Sequence, residues 1–399
     1  MALAAAVVHL TPPVFAADGF VPGHVFVSEP APEACWTSAS DRIWEFDPVC
    51  GEFSLFVEIP EEDCGTMMGI VFTPDGARLR AAMFGTSKIL EFDADGNYTI
   101  VLDGSDGIFG PFGSNGIAYD KEGNFYSLMF GGSGVIRFPP DGGHGAFLAN
   151  FSPYFADSMA VTSDGIVYTG GGFGGPSKIL VVLPDGDISL VDQYSFVNYP
   201  NALAVDTGGR LYVGLTQGTL LTYDIGDPDS QTTLVDDSNL FCCDYPIVLR
   251  PDEKKLYLPG TWDDILYLID VIDGTIEAIG DYPGYGSTDS RGIAVVPHPK
   301  GDADFDTDVD AEDYPVIHGC LTGPGDFAPL GDCRFADLDK DDDVDLADIG
   351  VFQTAFTGPT PPPPSNCCDT DHGAGCNEPV VEACVCEHVP ACCDFDWDE

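Results

Sequence analysis

GIVFTPDGARL (Gly69–Leu79), GIAYDKEGNFY (Gly116–Tyr126), SMAVTSDGIVY (Ser158–Tyr168), ALAVDTGGRLY (Ala202–Tyr212) and IVLRPDEKKLY (Ile247–Tyr257) are one phrase written five times. Each opens on a short apolar run, turns at an Asp/Gly or charged cluster, and closes on a second run ending in Leu or Tyr. GIAVV, from Gly292, begins a sixth copy, and successive copies start 42 to 47 residues apart. A second hairpin follows each full copy: KILEFDADGNYTIV from Lys88, VIRFPPDGGHGAFL from Val135, KILVVLPDGDISLV from Lys178, TLLTYDIGDPDSQTTLV from Thr219 and ILYLIDVIDGTIEAI from Ile265. Apolar–polar alternation broken by Asp-Gly and Gly-rich turns marks antiparallel hairpins. A fixed period of this length means that one supersecondary unit is stacked on copies of itself.

Four short antiparallel strands in every ~45 residues is the pattern of β-propeller blades. Five full units stand between Gly65 and Pro283, and the sixth is divided. Its first strand is Ile293 to Val296; the others come from the N-terminus as HVFVSE from His24, RIWEFD from Arg42 and GEFSLFVEI from Gly51. Closing the ring with strands from both ends of residues 20–298 leaves no open sheet edge. The expected fold class is therefore mainly β, a six-bladed β-propeller. Its period and phrasing resemble NHL-type and gluconolactonase-like propellers. That resemblance speaks for architecture and says little about function.

Behind the ring stand two twelve-residue loops, DADFDTDVDAED (Asp302–Asp313) and DLDKDDDVDLAD (Asp337–Asp348), in one register and 35 residues apart. Both have carboxylates at loop positions 1, 3, 5, 9 and 12 and a valine, Val309 or Val344, at position 8. Such spacing wraps oxygen ligands around one hard cation: alternate side chains supply positions 1, 3 and 5, the backbone supplies 7, and 12 closes the shell. The candidate metal ligands are Asp302, Asp304, Asp306, Asp308, Asp310 and Asp313 in the first loop. In the second they are Asp337, Asp339, Asp341, Asp343, Asp345 and Asp348. The glycine usual at position 6 is replaced by Thr307 and Asp342. Apolar residues at helical spacing follow each loop: Tyr314, Val316, Ile317 and Leu321, then Leu346, Ile349, Val351, Phe352 and Phe356. No entering helix precedes either loop.

A duplicated loop-plus-helix unit over residues 301–358 resembles type I dockerin domains. The resemblance implies a small α-helical module that binds two Ca2+ ions and docks onto a cohesin-like or cell-surface protein partner. That family reads its partner largely at loop positions 10 and 11, often small hydroxyl residues; here they are Ala311–Glu312 and Leu346–Ala347. Cys320 and Cys333 flank the segment between the repeats and are expected to pair.

The 399-residue chain carries 66 acidic against 15 basic residues, a formal net charge of −51. Nucleic acid and anionic membrane surfaces are thereby poor partners. No apolar run reaches the length of a membrane span. Residues 1–17 read as a signal peptide-like segment, apolar and then small at Ala16–Ala17. Fourteen cysteines favour an oxidising compartment, so a secreted or cell-surface location is expected. Residues 359–366 form a stiff Pro-rich linker. The tail, 367–399, holds seven cysteines and reads as disulfide-rich, with a zinc module using His372 and His388 as the alternative.

On the propeller, the residue two before each repeated apolar strand is expected at the channel mouth: Met68, Asn115, Asp157, Asn201, Pro246 and Arg291. Asn115, Asp157 and Asn201, with Glu29 supplying a carboxylate, could ligate a divalent cation, as gluconolactonase-like lactonases do at this end. The same residue types cap turns at strand starts without any ligand. No serine or cysteine nucleophile with a base partner can be placed. The sequence therefore favours a non-catalytic, secreted, calcium-binding modular protein whose propeller offers a face for a protein, a carbohydrate or another small ligand. Loop aromatics Trp262, Tyr282 and Tyr285 would suit sugar stacking. The alternative is an extracellular metal-dependent hydrolase or lactonase, or a polysaccharide-degrading component, acting at the channel mouth.

Overall fold

The computed structural model describes residues 19–30, 40–60, 63, 65–104, 114–129, 134–152, 154, 156–171, 177–195, 198–225, 227–236, 247–260, 264–281, 292–305, 308–323, 333–339 and 343–356. The signal peptide-like segment, the Pro-rich linker and the cysteine-rich tail lie outside these residues. So do Cys35, Cys64, Cys242, Cys243, Trp262, Tyr282 and Tyr285. Cys50, on the turn of a blade-six hairpin, forms no disulfide with a described cysteine.

The chain begins with β1 (Val25–Glu29), β2 (Arg42–Asp47) and β3 (Glu52–Glu58). Blade one follows as β4 (Thr66–Phe72), β5 (Leu79–Phe84), β6 (Lys88–Phe92) and β7 (Tyr98–Leu102). Blade two is β8 (Ser114–Tyr119), β9 (Phe125–Met129), β10 (Gly134–Phe138) and β11 (Ala146–Asn150). Blade three is β12 (Ser158–Val161), β13 (Val167–Gly171), β14 (Ser177–Val182) and β15 (Ile188–Tyr194). Blade four is β16 (Pro200–Val205), β17 (Arg210–Leu215), β18 (Thr219–Asp224) and β19 (Asp227–Asp236). Blade five is β20 (Val248–Leu249), β21 (Lys255–Pro259), β22 (Ile265–Asp270) and β23 (Ile276–Asp281). β24 (Gly292–Val295) pairs antiparallel with β1, giving blade six the order β24-β1-β2-β3. The divided sixth blade is thus as the repeat phase requires, and the fold is a six-bladed β-propeller.

Six apolar layers fill the seams between neighbouring blades. Strand pleating explains how one strand serves two layers, because successive side chains point to opposite faces. On β1, Phe26 enters the layer shared with blade one, beside Phe72 and Phe92. Its neighbours Val25 and Val27 enter the layer shared with blade five, beside Tyr257 and Leu266. All three are fully buried. Burying such a side chain contributes roughly 1.5–3 kcal/mol.

The outermost strand of every blade carries a bulge. The register with the preceding strand shifts so that one residue is left over: Phe56, Val101, Leu148, Val191, Leu234 or Ile279. In an uninterrupted pleat each of these would share a face with its second neighbours. The extra residue turns it inward, and each packs against the core layer at its seam. At several seams a turn glycine of the next blade backs onto the carbonyl of that same residue. Gly186 (φ +92°) stands so that a Cβ would lie 2.5 Å from the Leu148 oxygen, and Gly274 (φ +71°) abuts the Leu234 oxygen more closely still. At the closing seam a Cβ on Gly96 would lie 3.2 Å from the Phe56 oxygen.

After β24 come two short helices, α1 (Asp313–Gly319) and α2 (Leu346–Ala355), with a one-turn 3-10 segment (Arg334–Ala336) before the second loop. Both α-helices end a few residues earlier than the apolar spacing suggests. Ala303, Val309, Ile317, Ala336, Leu338, Val344 and Phe352 form a separate small core. Cys320 and Cys333 are joined in a disulfide, Cα atoms 5.3 Å apart. No described helix is long and apolar enough to cross a membrane.

Candidate metal centre

Each acidic loop closes on its twelfth residue, and the two closures are copies of one another. The backbone N–H groups of loop positions 2 and 3 donate to one oxygen of the position-12 carboxylate. In the first loop Ala303 and Asp304 donate to Asp313 Oδ1, the latter at 3.1 Å. In the second Leu338 and Asp339 donate to Asp348 Oδ1 at 2.6 and 3.1 Å. The position-9 N–H donates to the other oxygen, Asp310 to Asp313 Oδ2 and Asp345 to Asp348 Oδ2, both at 2.7 Å. The position-9 side chain then accepts from the position-11 N–H at 2.6 Å in both loops. In the second loop this is a capping box, with Asp345 as N-cap and Asp348 as N3. The carboxylate that closes the loop therefore also starts the helix.

Around this frame the other carboxylates converge. Oxygens of Asp302, Asp304 and Asp313 lie within 4.8 Å of one another, as do those of Asp308, Asp310 and Asp313. The second loop repeats both groups with Asp337, Asp339 and Asp348, and with Asp343, Asp345 and Asp348. Asp306, Asp341, Thr307 and Asp342 lie outside the described residues. Position 8 faces inward in both loops, Val309 and Val344 being buried in the small core. Burial pushes the Asp313 carboxyl above its ordinary range; the three amide bonds oppose this, and the neighbouring Asp302 charge adds to it. A cation among these groups would relieve both the burial cost and the repulsion. An all-oxygen, anionic donor set is the set that hard cations take.

Two features here lay beyond sequence reasoning. Phe305, at loop position 4, adopts a left-handed conformation (φ 65°), so the first loop's left-handed residue is not only a question for position 6. His298, four residues before the loop, places Nδ1 at 2.7 Å from Asp302 Oδ2.

At the propeller axis, Met68, Asp157 and Asn201 line a channel of about 640 Å³ walled mainly by inner-strand aliphatics such as Ile117, Leu203 and Ile293. Met68, Asn115 and Asn201 are each the unopposed residue of a bulge at the start of an inner strand. Pro246 and Arg291 lie outside the described residues. The expectation for Glu29 is corrected. It is wholly buried within β1 and accepts a hydrogen bond from the Trp44 Nε1–H of β2 at 2.9 Å. Glu29 is not among the residues that line the channel, because β1 is the second strand of its blade and β24 stands between it and the axis. Among the described residues, the groups of three or more His, Cys, Asp or Glu able to share an ion all fall in the two loops.

No family model matches this chain, and no curated protein is similar to it. Solved structures are similar to it in fold. A chain from the crystal structure of the nidogen/laminin complex superposes with a TM-score of 0.56 at 14% identity, covering 69% of this chain and 98% of that one. A streptogramin B lyase structure superposes with a TM-score of 0.43 at 13% identity, covering 55% of this chain and 70% of that one. What the first shares with this chain is the propeller.

Proposed function

We propose that residues 301–358 form a dockerin-like module that folds around two Ca2+ ions and attaches a non-catalytic propeller to a partner outside the cell. The observation that carries this reading is the repetition, at a constant offset of 35 residues, of two carboxylate groups and their amide frame. Chance acidity would not repeat a hydrogen-bond scheme position by position. The ligands are Asp302, Asp304, Asp306, Asp308, Asp310 and Asp313, and Asp337, Asp339, Asp341, Asp343, Asp345 and Asp348. The exposed apolar residues Tyr314, Val316, Leu321, Leu346 and Phe356 on and beside the two helices support a docking role toward a cohesin-like or cell-surface protein. The Cys320–Cys333 disulfide and the acidic surface support a secreted location. The propeller's own ligand is read as a protein, a carbohydrate or another small molecule; that a similar propeller belongs to a nidogen/laminin complex favours the first.

The test is calorimetric titration of the chelated full-length chain with Ca2+. Two ions are expected to bind at micromolar affinity or tighter. Asp304→Ala and Asp339→Ala should each lose one ion while the far-ultraviolet β-sheet signal stays unchanged. A full chain that takes up no Ca2+ would sink the assignment.

A further inference from the structure

The 35-residue offset that relates the loops extends upstream of them. Four residues before Asp302 stands His298; four residues before Asp337 stands Cys333. Both positions are anchored, but to different bodies. Cys333 is bonded to Cys320 inside the module. His298 is seated on the propeller. Pro297 and Pro299 flank it and fix the backbone on both sides. Pro297 packs on the Gly76 turn of blade one, where a Cβ would lie 3.5 Å from its Cδ. The imidazole backs onto Gly23, where a Cβ would lie 3.1 Å from Nε2, and Gly23 is itself held by its N–H on the Val296 oxygen at 3.0 Å.

From that seat the ring reaches the first loop twice. Its Nδ1 meets Asp302 Oδ2 at 2.7 Å, with Asp302 wholly buried at its side chain. Facing a carboxylate, Nδ1 carries the proton and donates. That bond occupies one oxygen of the position-1 ligand and aims the other. The ring also meets Phe305 edge to face at 5.4 Å, and Phe305 in turn meets Phe335 at 6.2 Å. Histidine thus stands where the second repeat has a covalent tie, and it ties the loop to the propeller instead of to the module.

We propose that His298 is a positioning residue that couples the first cation loop, and not the second, to the propeller. This rests on the two-calcium reading above. Hydrogen bonds from outside the coordination shell orient ligating carboxylates, and losing one typically weakens metal affinity about 10- to 100-fold. The coupling is reciprocal by linkage: if the propeller's seat strengthens the ion's hold, the ion must strengthen the propeller.

The experiment uses full-length chains with one working loop each, Asp339→Ala for the first loop alone and Asp304→Ala for the second alone, titrated with Ca2+ by calorimetry. His298→Ala in the first background is expected to weaken binding about 10-fold or more. In the second background it should leave binding unchanged. His298→Asn, which keeps a donor near the Nδ1 position, should restore most of the loss. Calcium should raise the propeller's unfolding temperature in the Asp339→Ala chain, and His298→Ala should abolish that rise. If the alanine variant loses its sheet signal, His298→Leu, which keeps the packing and drops the donor, is measured in its place. An unchanged first site, an equal loss in both backgrounds, or a calcium-induced rise that survives the substitution would each overturn the coupling. Parent chains that bind no Ca2+ would overturn the two-calcium reading itself, and the coupling with it.

Discussion

Asp313 and Asp348 each organise a loop by holding three backbone N–H groups on two carboxylate oxygens. Those bonds favour the charged form, yet burial wins at Asp313 and its carboxyl is pushed upward. An acid whose folded value exceeds its unfolded one stabilises the fold below the unfolded value and loses that contribution as pH rises through the folded one. In chelator, the module's unfolding temperature should therefore fall as pH climbs from below the usual aspartate range through the raised Asp313 value. On the two-calcium proposal, saturating Ca2+ should reverse the slope, since only an ionised carboxylate would bind the ion and its uptake would release protons. Thermal scans at a series of pH values, with and without chelator, measure both slopes. A module stabilised by rising pH in chelator would contradict the raised value. The convergence of the carboxylates was legible in the sequence because it is local, every partner standing within twelve residues. His298 as a partner of Asp302 was not, because its seat depends on Gly23, far away in the chain.

The strands show the same division between what local pattern carries and what packing decides. The repeated phrase marks the first two strands of a blade because two-residue alternation and a turn are written side by side. The split sixth blade follows from phase alone. The bulges at Phe56, Val101, Leu148, Val191, Leu234 and Ile279 left no such mark. A one-residue shift changes no composition, and it is decided by contact with the next blade. Glu29 was misplaced for a related reason: a strand's period gives the face a side chain takes, not how many strands separate it from the axis. The seam contact can be probed at Gly274, which combines positive φ with close approach to the Leu234 oxygen. Gly274→Ala should lower stability by about 1–3 kcal/mol through strain and overpacking. Denaturant titration checks this, and a midpoint within error of the parent would show that the seam yields freely.

In the whole molecule, the ring is closed by pairing β1 with β24 across almost the full length of the propeller sequence. A chain beginning at residue 60 would lack β1, β2 and β3, leaving β24 alone and the outer faces of blades five and one uncovered. It should self-associate more strongly than the full chain at the same concentration; light scattering decides, and a monodisperse truncated monomer would show that five blades suffice. The seams add a further consequence. At the seams between blades two and three, four and five, and six and one, the earlier blade carries a socket on its outer strand and the later blade carries, on its outer turn, the glycine that seats in it. The closing seam, where Gly96 meets Phe56, is made in this way too, although the chain arrives there from both ends. At these seams neighbourhood is encoded in the two blades that meet and not in the order in which the chain is threaded. A gene that copied one such unit in tandem would deliver a part already cut to fit on both sides.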